Sequence, residues 1–258
     1  MRGRQPHIQC KPGDVAELAF LVGDPGRIAL VAERLEDAQE VANNRGLPVW
    51  NGTYKGVPVT VVSTGMGCPS AAIVVEELAN IGVKTFIRIG TCGGLKEEIQ
   101  AGDLIIPTEA LRAEGTTKEY VGPEFVARAD KGIVDTLEGA AREAKVRYWK
   151  GVNRTHDAFY EPVENMLKLL ELYPDGRAGE ESLPLVSSEM ECSAVFVIAL
   201  LRGLRAGAVL AVNTVEPLNK IKENPAMVYE LSAAPEAKDG VRRAIDVALE
   251  AGVRIMGA

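Results

Sequence analysis

The sequence predicts an α/β fold in which a mostly parallel or mixed sheet is covered by helices on both faces. Three observations carry this. Apolar runs alternate with amphipathic helical stretches throughout the 258 residues. Two of the runs, 83–89 and 206–212, are apolar nearly throughout, as strands buried on both faces must be. Three glycine-rich junctions each follow a strand, as they do where a strand hands over to a helix.

Residues 18–22 form a short apolar run that ends in Gly23-Asp24-Pro25. Asp24 suits an N-cap and Pro25 a first helical position, which predicts a helix to about Leu35. Stretches 50–54 and 57–63 flank Lys55-Gly56 and read as a hairpin. From Pro69 onward, Ala71, Val74, Val75, Leu78 and Ile81 fall at helical spacing, and Gly82 ends the helix. After the strand at 83–89, another is expected at 104–107, then a loop-rich stretch to about Asp130. Ile133, Leu137, Ala140, Ala141 and Ala144 mark a helix, and 148–152 has strand character. Residues 183–186 lead into a helix over 190–204, with Ala194, Val197, Ile198 and Leu201 on one side. The strand at 206–212 precedes a last amphipathic helix over 236–255, through Val241, Ile245, Ala248 and Leu249. Residues 173–182 and 217–225 read as exposed loops, and a single domain over 1–258 is the simplest division.

A chain 47% hydrophobic and 25% charged can bury a sizeable core. No apolar run approaches the roughly 20 residues a membrane span needs. Residues 1–11 are polar and basic and do not read as a signal peptide, so a cytoplasmic protein is expected. A net charge of −7 argues against a nucleic-acid partner, although a few arginines can still form a pocket for a small anion. Cys10, Cys68, Cys92 and Cys192 are scattered, and His7 and His156 are the only imidazoles, so no metal site is expected. The cysteines read as reduced and mostly buried.

Four segments could carry chemistry. At Gly23-Asp24-Pro25-Gly26-Arg27, backbone N–H groups at a helix start can hold an oxyanion, with Arg27 adding charge; a plain capped turn is the simpler reading. Gly65-Met66-Gly67-Cys68-Pro69-Ser70 lacks the third glycine of a dinucleotide loop, but still allows a ligand close to the backbone. Arg88, inside an apolar strand and three residues before Thr91, is costly unless it reaches a ligand or pairs with an acid such as Glu76 or Glu77. In Ser188-Glu189-Met190-Glu191-Cys192 the carboxylates are either ordinary first-turn acids or acceptors for the cis hydroxyls of a sugar.

The order of these segments resembles the purine nucleoside and uridine phosphorylase family: Gly-Asp-Pro-x-Arg, Gly-Met-Gly-x-Pro-Ser, Arg-Ile-Gly-Thr-x-Gly, then Glu-Met-Glu. The resemblance runs from His7 to the final helix. It implies a three-layer α/β/α fold around a mixed, partly barrel-like sheet, and hexamers built from dimers that share active sites. It further implies that Gly23, Arg27, Arg88 and Thr91 bind phosphate, joined by Arg45 from the neighbouring subunit. Met66, Glu189, Met190 and Glu191 would face the nucleoside, with Glu191 on the 2′- and 3′-hydroxyls and His7 supplied to the 5′-hydroxyl by the neighbour. Phe159 would stack near the base, where core packing is the alternative reading. Inorganic phosphate is the implied co-substrate, with no metal or organic cofactor, and Arg88→Ala is expected to impair phosphate use without harming the fold.

The base end departs from the family pattern. Uridine phosphorylases carry a glutamine and an arginine shortly after the stacking phenylalanine, where this chain has Glu161-Pro162-Val163-Glu164-Asn165. The related bacterial purine enzymes carry a catalytic aspartate after the penultimate strand, where Asn213-Thr214-Val215-Glu216-Pro217 makes Glu216 the nearest acid. His156 is placed to reach the same pocket. Leu111-Arg112-Ala113-Glu114-Gly115 and Val75-Glu76-Glu77-Leu78 are similar to uridine phosphorylases, so uridine is favoured. The alternatives are a purine nucleoside or 5′-methylthioadenosine phosphorylase, a hydrolytic nucleosidase, or a non-catalytic nucleoside-binding protein.

Overall fold

The computed structural model describes residues 3–173, 176–179, 182–215 and 235–257. From the N-terminus, β1 (Leu18–Val22) is followed by α1 (Gly26–Ala32), β2 (Glu36–Asn44), β3 (Leu47–Tyr54), β4 (Val57–Ser63) and α2 (Cys68–Asn80). Next come β5 (Thr85–Gly94), β6 (Leu104–Ala113), α3 (Thr116–Tyr120), β7 (Ala127–Arg128), α4 (Lys131–Glu143) and β8 (Tyr148–His156). The chain continues through α5 (Val163–Leu172), β9 (Arg177–Ala178), β10 (Leu183–Glu189), α6 (Cys192–Leu201) and β11 (Arg205–Val215) to α7 (Pro235–Gly257).

The strands form one mixed sheet in the order β2-β3-β4-β1-β5-β11-β6-β8-β10-β9. A further antiparallel pairing, Ser187 with Gly94 and Ser188 with Gly93, joins β10 back to β5. Strands β5, β11, β6, β8 and β10 therefore close into a ring, and β1 and β4 extend the parallel run of β11 and β5 outside it. Register shifts at Pro107/Glu109, Leu185/Ser187 and Val212/Thr214 supply the bends that closure needs. The first of these contains Pro107, which has no N–H to give to a ladder. On one side α4 and α7 pack together and against β11, with α1 touching α7; α2, α3 and α6 form the other group. Eight of the ten residues of α6 are buried, as its uniformly apolar sequence requires. Among the described residues, no helix is long and apolar enough to cross a membrane.

Several elements extend or shorten the sequence reading. β5 does not stop at Ile89: it runs on to Gly94, so Thr91 lies within the strand. Helix α1 begins at Gly26 and ends at Ala32, with Pro25 at the cap and the Asp24 carboxylate accepting the Gly26 N–H at 2.8 Å. α6 begins only at Cys192, so Glu189 closes β10 and Glu191 caps the helix; neither is a first-turn acid. The expected loop at 173–182 contains β9, where Ala178 is buried and paired with Leu183; residues 217–225 lie outside the described residues. Strand β2 and helix α5 lie outside the sequence expectations, although Val163, Met166, Leu167 and Leu170 of α5 fall at helical spacing. β2 is mostly wet on both faces, and its hairpin to β3 turns through Arg45 and Gly46, both at positive φ (55° and 74°).

Candidate active site

The C-terminal ends of β1, β5, β8, β10 and β11 meet the loop after β4 around a cavity of about 610 Å³. That is where a sheet of parallel strands leaves a crevice for a ligand. Gly23, Arg27, Met66, Arg88, Thr91, Phe159, Glu189, Met190 and Glu191 all line it, together with His156. Segments as far apart in sequence as Gly23 and Glu191 are thus brought onto one surface.

Arg88 organises the cavity. Its side chain leaves β5 fully enclosed, with Nε 3.2 Å from Glu189 Oε2 and Nη2 2.5 Å from Glu191 Oε2. These are its ion partners, rather than Glu76 or Glu77. Glu76 pairs with Arg202. Glu77 instead holds the N-terminal segment, accepting the N–H groups of His7 and Ile8 and lying 2.6 Å from His7 Nδ1. Burial opposes the charge on Arg88, but the two carboxylates outweigh it and hold its pKa above the usual arginine value. Two local features make room. A Cβ at Gly90 would sit 2.9 Å from Arg88 Nη2, so only glycine leaves the guanidinium free. Gly67, at φ 86°, turns its N–H to Glu191 Oε1 at 2.7 Å.

The two carboxylates differ. Glu189 accepts Asn153 Nδ2 at 2.8 Å and Thr155 Oγ1 at 2.7 Å on Oε1, and the Glu191 N–H at 2.8 Å on Oε2. The Cys192 N–H reaches both its oxygens, at 3.1 and 2.9 Å. Burial pushes Glu189 up, yet Arg88 and these donors prevail and leave its pKa below the ordinary carboxylate value. Glu191 receives Arg88 and backbone N–H groups of Gly67 and Met190, and burial, with Glu189 beside it, holds its pKa above the ordinary value against the pull of Arg88.

On the other side of Arg88, Nη1 is buried without a hydrogen-bond partner, and a Cβ at Gly23 would lie 3.8 Å from it. Arg27 reaches the same corner and donates to the Ile89 carbonyl at 3.0 Å. Burial and the neighbouring Arg88 lower the Arg27 pKa, with Asp24 opposing them. Two guanidiniums, one unspent buried donor, Gly23 and Thr91 give this end the charge and the donors that an anion would need.

Across β10 the character changes. Leu95, Phe159 and Met166 give an apolar wall, into which His156 and Glu161 bring polar atoms. Phe159 and Met66 remain 55% and 84% exposed, so the cavity is open along one side of this chain.

His7 and Arg45 do not line the cavity. Both lie on the β2–β3 side, where Asn44, next to Arg45, donates to the His7 carbonyl at 2.7 Å. Glu216 lies outside the described residues, two positions beyond the lining pair Asn213 and Thr214. Asn153, Thr155 and Arg154 carry no local sequence signal, and Glu161 stands out only within the stretch that departs from the family pattern. The first two sit on β8, whose pairing with β10 (Thr155 opposite Glu189) cannot be read from local periodicity. Among the described residues, no group of three or more His, Cys, Asp or Glu could hold a metal, and the four cysteines are free and buried.

A family model described as the phosphorylase superfamily matches residues 17–246. The guanosine phosphorylase of Halorubrum lacusprofundi is 39% identical over 249 residues, covering 96% of this chain and 98% of that one. The uridine phosphorylase of Thermococcus kodakarensis is 40% identical over 244 residues, 93% of this chain and 86% of its own. Among solved structures, the uridine phosphorylase of Vibrio fischeri superposes with a TM-score of 0.82 at 30% identity, covering 97% of this chain and 98% of that one.

Proposed function

The chain belongs to the phosphorylase superfamily, in its purine nucleoside and uridine phosphorylase branch, and from that premise we propose that it catalyses the reversible phosphorolysis of a ribonucleoside, uridine favoured. The products are the free base and α-ribose 1-phosphate. One observation carries the reading: a guanidinium buried among apolar strands, anchored by two carboxylates, keeps one unpartnered donor aimed at the corner that Gly23, Arg27 and Thr91 share. A phosphate dianion supplies the acceptors this corner lacks.

Held there, phosphate is a positioned nucleophile, and its lost translational freedom lowers the barrier to attack on the anomeric carbon. Glu191 takes the 2′- and 3′-hydroxyls, and Met66 and Met190 pack the ribose. As the glycosidic bond lengthens, the sugar becomes cationic and the adjacent dianion stabilises it. Phosphate oxygen bonds to carbon as the base departs with the bonding pair, which a proton then neutralises. Glu216 is the proposed proton donor. Phosphate is the co-substrate, and no metal or organic cofactor enters the scheme.

His7 and Arg45 complete the site of a neighbouring subunit in this reading. Their shared position on the β2–β3 side, away from the chain's own cavity, supports it, as does the exposure of Met66 and Phe159. A hexamer built from dimers and a cytoplasmic location belong to the same proposal. The guanosine phosphorylase of H. lacusprofundi, nearly as similar as the uridine enzyme, supports a purine nucleoside as the second reading. The test is base release from uridine, guanosine, inosine and adenosine with and without phosphate. Release that ignores phosphate contradicts a phosphorylase, and exclusive use of purine nucleosides contradicts the uridine preference.

A further inference from the structure

Glu161 is a buried carboxylate that opens into the apolar end of the cavity, beside Phe159, Leu95 and Met166. Arg154 grips it in a two-point contact, Nη1 to Oε1 at 2.5 Å and Nη2 to Oε2 at 2.7 Å, and turns its own Nη1 also to Met166 Sδ at 3.3 Å. Both side chains are 6% exposed. An ion pair this deep adds little stability over an apolar pair of equal volume, so stability alone gives no reason to place one at a ligand wall. Each carboxylate oxygen carries two lone pairs, and Arg154 occupies one on each. The rest are available toward the cavity. His156 stands next to it, its Nδ1 buried without a hydrogen-bond partner and 3.6 Å from Glu161 Oε1.

The position along the cavity fixes what this pair meets. Arg88 and the anion corner lie on β5, Glu189 at the end of β10 binds Asn153 and Thr155 of β8, and His156 is the next residue of β8. With phosphate at one end and ribose at the carboxylates between, Glu161 and His156 are at the base.

We propose that Glu161 determines base specificity: its carboxylate accepts the ring N–H of a lactam edge, as in uracil, hypoxanthine and guanine, and rejects cytosine and adenine. This rests on the phosphorylase reading above. In the accepted bases a ring N–H adjoins a carbonyl, and the N–H donates to Glu161. In cytosine and adenine a bare ring nitrogen adjoins an amine. Its lone pair would face the carboxylate, which would receive no donor from the base, and that is how a polar site excludes a near-isostere. Arg154 is the positioning residue that holds the carboxylate edge-on. The pairing explains how one site type serves uracil and 6-oxopurines without the glutamine and arginine that uridine phosphorylases present here.

The experiment measures kcat/KM at saturating phosphate for uridine against cytidine and inosine against adenosine, with wild type and E161Q. For whichever ring size is cleaved, wild type should favour the lactam nucleoside by about a hundredfold or more. E161Q can present an amide donor in place of an acceptor, and should shrink that ratio by at least about tenfold. E161D should recover part of it. Should E161Q fail to fold, unmodified protein decides the matter: 3-methyluridine, whose edge N–H is blocked, should be at least about a hundredfold poorer than 5-methyluridine. Equal use of amino and lactam nucleosides, equal use of the two methyluridines, or an E161Q that slows all substrates alike overturns the inference and leaves the phosphorylase reading standing. No phosphate-dependent base release from any nucleoside overturns that reading itself.

Discussion

Replacing Arg88 by alanine should remove two functions at once, and the structure sets the size of each. The guanidinium is the shared ion partner of Glu189 and Glu191, with side-chain exposures of 4%, 2% and 7% for the three residues. Alanine strands both carboxylates without their cation, and breaking a buried pair this way costs about 3–5 kcal/mol. At roughly 2–4 °C per kcal/mol for a chain of this size, the melting temperature should fall by about 6–20 °C. Melting of the variant therefore also tests the expectation that the fold survives the change. The second loss is phosphate binding: a charge-assisted hydrogen bond contributes about 1.5–3 kcal/mol, so KM for phosphate should rise by roughly 10- to 150-fold. Arg27→Ala is the control that separates the two. Arg27 has no ion pair among the described residues and is repelled by Arg88, so its removal should shift melting by only a few degrees while raising KM for phosphate comparably. Calorimetric melting with and without phosphate reads both effects, since bound phosphate at about 100 times its Kd stabilises by about 2.7 kcal/mol. An Arg88→Ala protein that melts like wild type would refute the triad energetics. Unchanged phosphate KM in both variants would refute the anion corner.

Glu191→Gln should lower kcat/KM for the nucleoside by about 10- to 100-fold, keep the phosphate-induced rise in melting temperature, and make no difference with a 2′,3′-dideoxynucleoside; an equal loss on the dideoxy substrate would remove Glu191 from the diol. His156 is held below its ordinary value of 6.5 by burial and by Arg154, with Glu161 opposing, so its share of stability is present above that value and lost as pH falls through the lower folded one. Melting temperature should therefore decline as pH falls from about 7 to 5, and His156→Gln should flatten the decline, because Glu191, raised in the fold, acts in the opposite sense in both proteins. Parallel curves would contradict this. Mixing Arg45→Ala with Arg88→Ala subunits, each nearly inactive alone, should restore about a quarter of wild-type activity, since half the dimers carry one intact site. No recovery after verified subunit exchange would place Arg45 outside the neighbour's site.

How much was visible in the sequence depended on whether a local pattern carried it. β1, α2, β11 and α7 follow from periodicity because each buries a continuous or one-sided apolar surface. The Lys55-Gly56 turn follows from its dipeptide, with both residues at positive φ. β2 was missed because an edge strand wet on both faces has no hydrophobic alternation, although Asn44-Arg45-Gly46 was a usable turn signal. The motifs that line the cavity were legible as segments, and their order made the family recognisable. What could not be read was which carboxylate meets Arg88, because Glu189 and Glu191 lie 101 and 103 residues away and come into reach only when β10 closes the ring against β5. In the sequence Glu161 marks only the absence of the family's glutamine, since its partner Arg154 has no spacing cue.

Glu189 and Glu191 look interchangeable in sequence, yet their hydrogen bonds assign them different work. A carboxylate has about four acceptor positions. Glu189 spends its own on Asn153, Thr155, Arg88 and the N–H groups of Glu191 and Cys192, which also keeps it charged at the cost of any capacity for a sugar. It therefore fixes the turn from β10 into α6 and, through Arg88 Nε, the tilt of the guanidinium. Glu191, less fully hydrogen-bonded and with a pKa raised by burial, is the carboxylate with capacity left for a ligand. Arg88 joins the two: held by Glu189, it presents Nη2 to the sugar carboxylate and Nη1 to the anion corner. In the proposed reaction phosphate and ribose take opposite edges of one guanidinium plane, and a single rigid side chain then sets the distance between nucleophile and anomeric carbon. That arrangement explains why the chain keeps an arginine in the middle of its most apolar layer.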